Sequence, residues 1–288
     1  MDKKDKINLA LVSVIKAIAF FFVYFLAQML VGFVLGLALA IASPDSDLNE
    51  IINSRAMEIT LISNIISIFG CIFLMRLFKK KGAVESFDIN TDFSRAGTIS
   101  GLCLALGISG QFAIMLILSI LPFPESWFQM HNESSQIILQ SNMAMQIIAV
   151  AIVAPLAEEI IFRACIQGTL SQGLPKWASI LIASVIFGLM HGSPLAIVYA
   201  TALGILMGWL YAKFDSIIPS MIFHFGFNLT TLLISSETLF IVVFVFTAIF
   251  FACLGFLIKF ARLQAEENKR KELEGDNNQG ENDDDEAL

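Results

Sequence analysis

An all-α polytopic membrane protein, a bundle of about eight transmembrane helices around an intramembrane polar cavity, is the fold class this 288-residue chain predicts. Three observations carry that expectation. Hydrophobic residues make up 57% of the chain and mean hydropathy is +0.77, well above a soluble domain. Apolar runs of about twenty residues, the length that crosses hydrocarbon as a helix, recur from end to end. Within a few of those runs sit ionisable residues, which a bilayer interior tolerates mainly at working sites.

The first span is expected at 14–42, after Lys3, Lys4 and Lys6. Basic residues followed by an apolar stretch, with Ala40-Ile41-Ala42 as a small-x-small site, resemble a signal peptide. The run from Ile7 to Ala42 far exceeds a signal core of about 7–15 residues, so it reads as a retained helix. Further spans are expected at 58–78, 97–121, 143–170, 177–191, 195–213, 217–235 and 238–259. Lys and Arg cluster at alternate ends: Arg76, Lys79, Lys80, Lys81 and Arg95 after span two, then Lys176, Lys213 and a group from Lys259 to Lys271. The opposite loops, Ser43–Met57 and Pro122–Asn142, hold one arginine and no lysine. The positive-inside rule then gives a multi-pass protein with both termini cytoplasmic, expected in the plasma membrane. Gly32-x-x-x-Gly36 and Gly204-x-x-x-Gly208 offer faces for close helix packing.

This divides the chain into helices one to three with their loops (1–142), a core of helices four to seven (143–235), a last helix (236–260) and an acidic tail (261–288). The tail, ending near Asp283-Asp284-Asp285-Glu286, is expected to be disordered and accounts for much of the net charge of −7. No basic face interleaved with aromatics is present, which excludes nucleic acid as a partner. Membrane lipid is the expected surroundings. Cys71, Cys103, Cys165 and Cys253 lie in apolar runs and read as small core residues.

Span four carries Glu158, Glu159 and Arg163 in an otherwise apolar sequence. Glu159 and Arg163, four apart, share a helix face and form an ion pair that lowers the insertion cost of both. Glu158 is turned about 100° away and is expected to face a different neighbour, free to react. Pro155, one turn earlier, removes a backbone hydrogen bond and loosens the helix there. Phe187 and His191 share a face of span five, and His224 and Asn228 share a face of span seven. Span five is short for a full crossing, so His191 is expected to end a half-depth helix lining a wet cavity.

A carboxylate in a low-dielectric pocket, beside a neutral imidazole, draws a proton from water. A second histidine and an amide can donate to a developing oxyanion. That inventory suits hydrolysis of an amide by activated water. Alternatives are a proton-coupled transporter, in which the same charges relay protons, and a structural charge network in a non-catalytic scaffold.

Glu158-Glu159-x-x-x-Arg163, Phe187-x-x-x-His191 and His224-x-x-x-Asn228, in this order on successive helices, resemble the three motifs of the CPBP intramembrane proteases. That family includes the CAAX prenyl endopeptidases of the Rce1 type and the bacteriocin-processing (Abi) proteins. The resemblance covers about 143–233, with no departure at the signature positions. It implies that Glu158 and His191 activate water, that His224 and Asn228 form the oxyanion site, and that Glu159, Arg163 and Phe187 support them. It also implies a peptide or lipidated-peptide substrate. The family has often been described as metalloproteases, and Glu158, His191 and His224 would be the zinc set. Because no His-Glu-x-x-His helix is present and zinc leaves Asn228 and the base unexplained, the expectation is hydrolysis without a cofactor. His131, the remaining histidine, reads as an ordinary interface residue near Trp127.

Overall fold

The computed structural model describes residues 2–44, 47–79, 93–234 and 240–285. The described residues form ten helices: α1 (Lys3–Ala42), α2 (Leu48–Ser54), α3 (Ala56–Lys79), α4 (Phe93–Ile120), α5 (Glu125–Leu139), α6 (Met143–Gly173), α7 (Lys176–Leu189), α8 (Pro194–Phe214), α9 (Ile217–Leu233) and α10 (Phe240–Asp285). All eight expected spans are present as helices. Six of them, α1, α3, α4, α6, α8 and α10, are long and apolar enough to cross a membrane. The other two, α7 and α9, are apolar but of 14 and 17 residues, about 21 and 25 Å at the helical rise. The protein is an all-α integral membrane protein.

Local chemistry sets several helix starts. The carboxylate of Asp2 accepts from the Lys4 amide, and the side chain of Asn142 accepts from the Met145 amide at 2.9 Å. Ser193 and Ser216 cap α8 and α9 in the same way, and Pro194 occupies the first turn of α8, where its missing N–H costs nothing. Asp215, in the left-handed conformation at φ 50°, closes α8 and turns the chain into α9.

Three expectations are corrected. The stretch Ser43–Met57 is not loop throughout but holds α2, capped by Asp47, and Pro122–Asn142 holds α5. Neither is long enough to span, so a search for twenty-residue apolar runs passes over both. The helix expected at 238–259 continues to Asp285, through the segment expected to be disordered. Lys, Arg, Glu and Gln from 262 to 271 are good helix formers, and they carry the hydrogen-bonded backbone beyond its apolar part. Lys80 and Lys81 lie outside the described residues, as does Glu286.

In the bundle, α4 packs against α9 and α10, α7 against α8, and α1 against α3 and α6. Where α1 and α3 meet, the Cys71 thiol approaches the Phe20 carbonyl as a weak donor at 3.9 Å. α6 runs antiparallel to α1, since a Cβ on Gly173 would lie 2.6 Å from the Cα of Ala10. The core lies where α1, α4, α6, α7, α8 and α9 meet, around Phe20, Leu106, Ile161, Phe162, Phe187 and Phe223. Lipid-facing positions are plain on α10, where Phe240, Phe244, Phe251 and Phe256 are exposed. All four cysteines are buried and free. Of the two glycine pairs, Gly204 and Gly208 face Ser184 and Gln167 tightly, whereas nothing approaches Gly32.

α5 buries none of its residues fully and lies across the start of α8. His131 on α5 meets the Tyr199 ring at 5.7 Å, with its Nδ1 3.5 Å from the Ser193 hydroxyl. Burial lowers the His131 pKa from the ordinary histidine value. Its neighbour Ser193 is two residues from His191, so α5 sits beside the turn that carries the second motif.

α7 and α8 approach most closely at Gly188, where any Cβ would collide with the side chain of Thr201 and the Ile197 carbonyl. Replacing Gly188 with valine is expected to push α7 away from α8. The expected cost is about 1–3 kcal/mol, typical of overpacking, read as a lower unfolding midpoint in detergent. An unchanged midpoint would show that the contact yields.

Candidate functional site

The site is built on α6, which is not a regular α-helix. Two π-helical stretches, Ile147–Val153 and Glu159–Gln167, flank a short α-helical piece containing Pro155 and Glu158. π-helical turns widen the helix, loosen its backbone ladder and recur at functional sites. The proline was readable as a loosening point; the length of the disturbance on both sides was not.

Glu159 and Arg163 have no exposed side-chain surface, and Glu159 Oε2 lies 3.2 Å from Arg163 Nε. The contact is a charge pair rather than an aligned hydrogen bond, since neither of these two atoms has a hydrogen-bond partner among the described residues. The same is true of the two terminal guanidinium nitrogens. The guanidinium instead lies 5.1 Å above the Phe187 ring, whose electron-rich face favours a cation. Phe187 thereby becomes a hub. Its ring meets Phe162 at 5.2 Å, His191 at 4.6 Å and His224 at 5.8 Å, each edge to face.

His224 on α9 stands between the two glutamates. Its Nδ1 is 3.0 Å from Glu159 Oε1, and its Nε2 is 3.5 Å from Glu158 Oε2. The expectation that Glu158 faces a different neighbour from Glu159 is therefore corrected. Adjacent carboxylates diverge around the helix, but an imidazole carries nitrogens on two sides, so one ring reaches both. What separates the carboxylates is exposure: the Glu158 side chain keeps 16% and that of Glu159 keeps none.

His191 follows the C-terminus of α7, with Nδ1 2.9 Å from the Phe187 carbonyl oxygen. A carbonyl only accepts, so Nδ1 carries the proton and Nε2 presents the lone pair. His191 is partly exposed, as a group meeting substrate must be. Asn228 Nδ2 donates to the Val150 carbonyl at 2.8 Å. That carbonyl belongs to the first π stretch, where the regular backbone ladder is altered, and the bond leaves the second N–H of the amide to point elsewhere.

The structure thus gathers Glu158, Glu159, Arg163, Phe187, His191 and His224 in one place, with Asn228 one turn along from His224. Among the described residues, no three His, Cys, Asp or Glu side chains converge as a metal ion requires. An apolar groove of about 360 Å³, lined by Val14, Phe21, Leu170, Ile182, Ile186 and Met190 among others, opens between α1, α6 and α7. Its Met190 immediately precedes His191 in the chain.

Sequence reasoning missed Tyr24, Phe162 and the polar cluster between α1 and α3. In that cluster Ser63 donates to Gln28 at 2.6 Å and Gln28 donates to Asn64 at 3.1 Å. The signal was present: Tyr24 and Gln28 are four apart on α1, and Ser63, Asn64 and Ser67 mark one side of α3.

Comparison with known proteins agrees with the geometry. Residues 140–230 match the family model "Type II CAAX prenyl endopeptidase Rce1-like". A stretch of 108 residues is 34% identical to "Putative membrane peptidase YdiL" of Bacillus subtilis (strain 168), covering 37% of this chain and 44% of that protein. Another, of 96 residues, is 33% identical to "UPF0177 protein YxdF" of Lactococcus lactis subsp. lactis (strain IL1403), covering 33% and 52%. The chain thus spans about half the length of the curated relatives it matches. No solved structure matches it.

Removing the cation alone would strand Glu159 in the apolar interior. Arg163→Met is therefore expected to destabilise the protein by about 3–5 kcal/mol. Adding Glu159→Gln should recover part of that loss. A double-mutant cycle on unfolding in detergent measures both, and additive losses would show that the pair is not coupled.

Proposed function

Starting from residues 140–230 as an Rce1-like segment, we propose that the protein is an intramembrane endopeptidase hydrolysing a peptide bond of a membrane-associated or lipidated substrate. The observation that carries this reading is the difference between two adjacent carboxylates. Glu159 is sealed and committed to Arg163 and His224, whereas Glu158 is the partly exposed one. His191, whose ring meets Phe187 as that of His224 does, offers a lone pair on Nε2 because the Phe187 carbonyl takes the proton on Nδ1.

In this reading Glu158 and His191 draw a proton from water, and the resulting hydroxide attacks the carbonyl carbon. The carbonyl oxygen gains charge as the tetrahedral intermediate forms, and donors placed for that charge supply the main stabilisation. The Nε2–H of a protonated His224 and the second N–H of Asn228 are those donors. The proton then passes to the leaving nitrogen as the C–N bond breaks. Glu159, Arg163 and Phe187 fix the rings and carry no proton in these steps.

The mechanism needs no metal. His224 Nδ1 is taken up by Glu159 and His191 Nδ1 by a carbonyl, a set arranged for hydrogen bonding. The apolar groove between α1, α6 and α7, lined in part by Met190, suits the lipid tail or apolar side chain of a substrate held in the bilayer. The pattern of basic residues supports both termini on the cytoplasmic side.

Glu158→Gln is expected to abolish cleavage of a membrane peptide by the purified protein, by three orders of magnitude or so, while abundance and folding are unchanged. Cleavage retained in that variant would overturn the assignment of the base. Proton-coupled uptake into liposomes, lost with Glu158 and without any cleavage, would favour a transporter. Activity that follows zinc content after chelation would replace the metal-free route.

A further inference from the structure

Tyr24 lies on α1, far outside the matched residues, and nothing in the three motifs involves it. Its side chain is nonetheless 6% exposed and set against the site. The ring meets Phe162 edge to face at 5.5 Å. Phe162 is one turn from Glu158 on α6, and the charge of Glu158 acts on the Tyr24 phenol.

The orientation of α1 at this point is pinned from both sides. One turn before Tyr24, the Phe20 carbonyl accepts from Cys71. One turn after, Gln28 is held by Ser63 and Asn64. Between these anchors the phenol is turned towards α6. No hydrogen bond from its hydroxyl to another described residue is formed, and the oxygen is not sealed from its surroundings, so it keeps room for a partner. Phenylalanine would fill the same space, so the hydroxyl is the part of this residue that packing does not require. On the other side, Glu158 Oε2 is directed at His224, and Oε1 has no partner among the described residues.

We propose that Tyr24 is a positioning residue of the site, whose phenolic O–H donates to Glu158 Oε1 and holds the carboxylate aimed at the water between it and His191. Glu158 then has one oxygen 3.5 Å from His224 of α9 and the other held by Tyr24 of α1. α1 becomes part of the working site rather than a membrane anchor. The proposal rests on Glu158 being the base, and its test keeps the two apart.

Tyr24→Phe retains the ring and its contact with Phe162 and removes only the O–H. The carboxylate stretching band of Glu158, assigned by infrared difference against Glu158→Gln, is expected to move in the Tyr24→Phe protein. With a cleavable peptide, kcat should fall about 10- to 100-fold while KM stays within about threefold, the pattern of lost transition-state alignment. A difluorotyrosine at position 24 keeps the shape and strengthens the donor, so the band should move in the opposite direction. That variant also covers a Tyr24→Phe protein that accumulates poorly. An unmoved band in both variants overturns the proposal, and so does an unchanged kcat. Cleavage that survives Glu158→Gln would sink the assignment of the base, while the infrared band still decides whether Tyr24 holds Glu158.

Discussion

A guanidinium and a carboxylate with no solvent exposure, inside helices meant for hydrocarbon, set the terms for this structure. Each ion loses its hydration on burial, and attraction at 3.2 Å repays that only with additional partners. Phe187 offers Arg163 a ring face, and His224 offers Glu159 a ring nitrogen at 3.0 Å. Those partners come from α7 and α9, so satisfying one ion pair on α6 draws three helices to a common point. The rings of Phe162, His191 and His224 then collect around Phe187, and the second carboxylate, Glu158, is placed at the edge of a cluster whose interior is already full.

The backbone of α6 makes the arrangement fit. A regular helix turns adjacent side chains by about 100°, which separates Glu158 from Glu159. Widened π stretches on both sides change the local rise and phase, and alter the hydrogen bonding of carbonyls such as Val150, which Asn228 engages. Irregular backbone at membrane depth survives only inside protein or beside a cavity. Here α1, α3, α7 and α9 cover one side of α6, while Ile148, Ile152 and Leu156 keep the other side exposed.

Much was legible in the residues. The eight apolar segments, the Glu159–Arg163 pairing and the shared faces of Phe187 with His191 and of His224 with Asn228 follow from period and spacing within single helices. α2 and α5 escaped because a search for spans ignores short amphipathic pieces. Tyr24 escaped for a different reason. A tyrosine in an apolar run is common, and only the packing of α1 on α6 gives its hydroxyl a meaning.

By itself the sequence determined which segments enter the membrane and which residues bring charge into it, because hydropathy and helical period act along one helix at a time. Tertiary structure alone decided which carboxylate is sealed and which is open, which imidazole nitrogen carries the proton, and which helix supplies the last partner. Those outcomes depend on distances between groups far apart in the chain. They arise when several helices settle together the partners each buried charge requires.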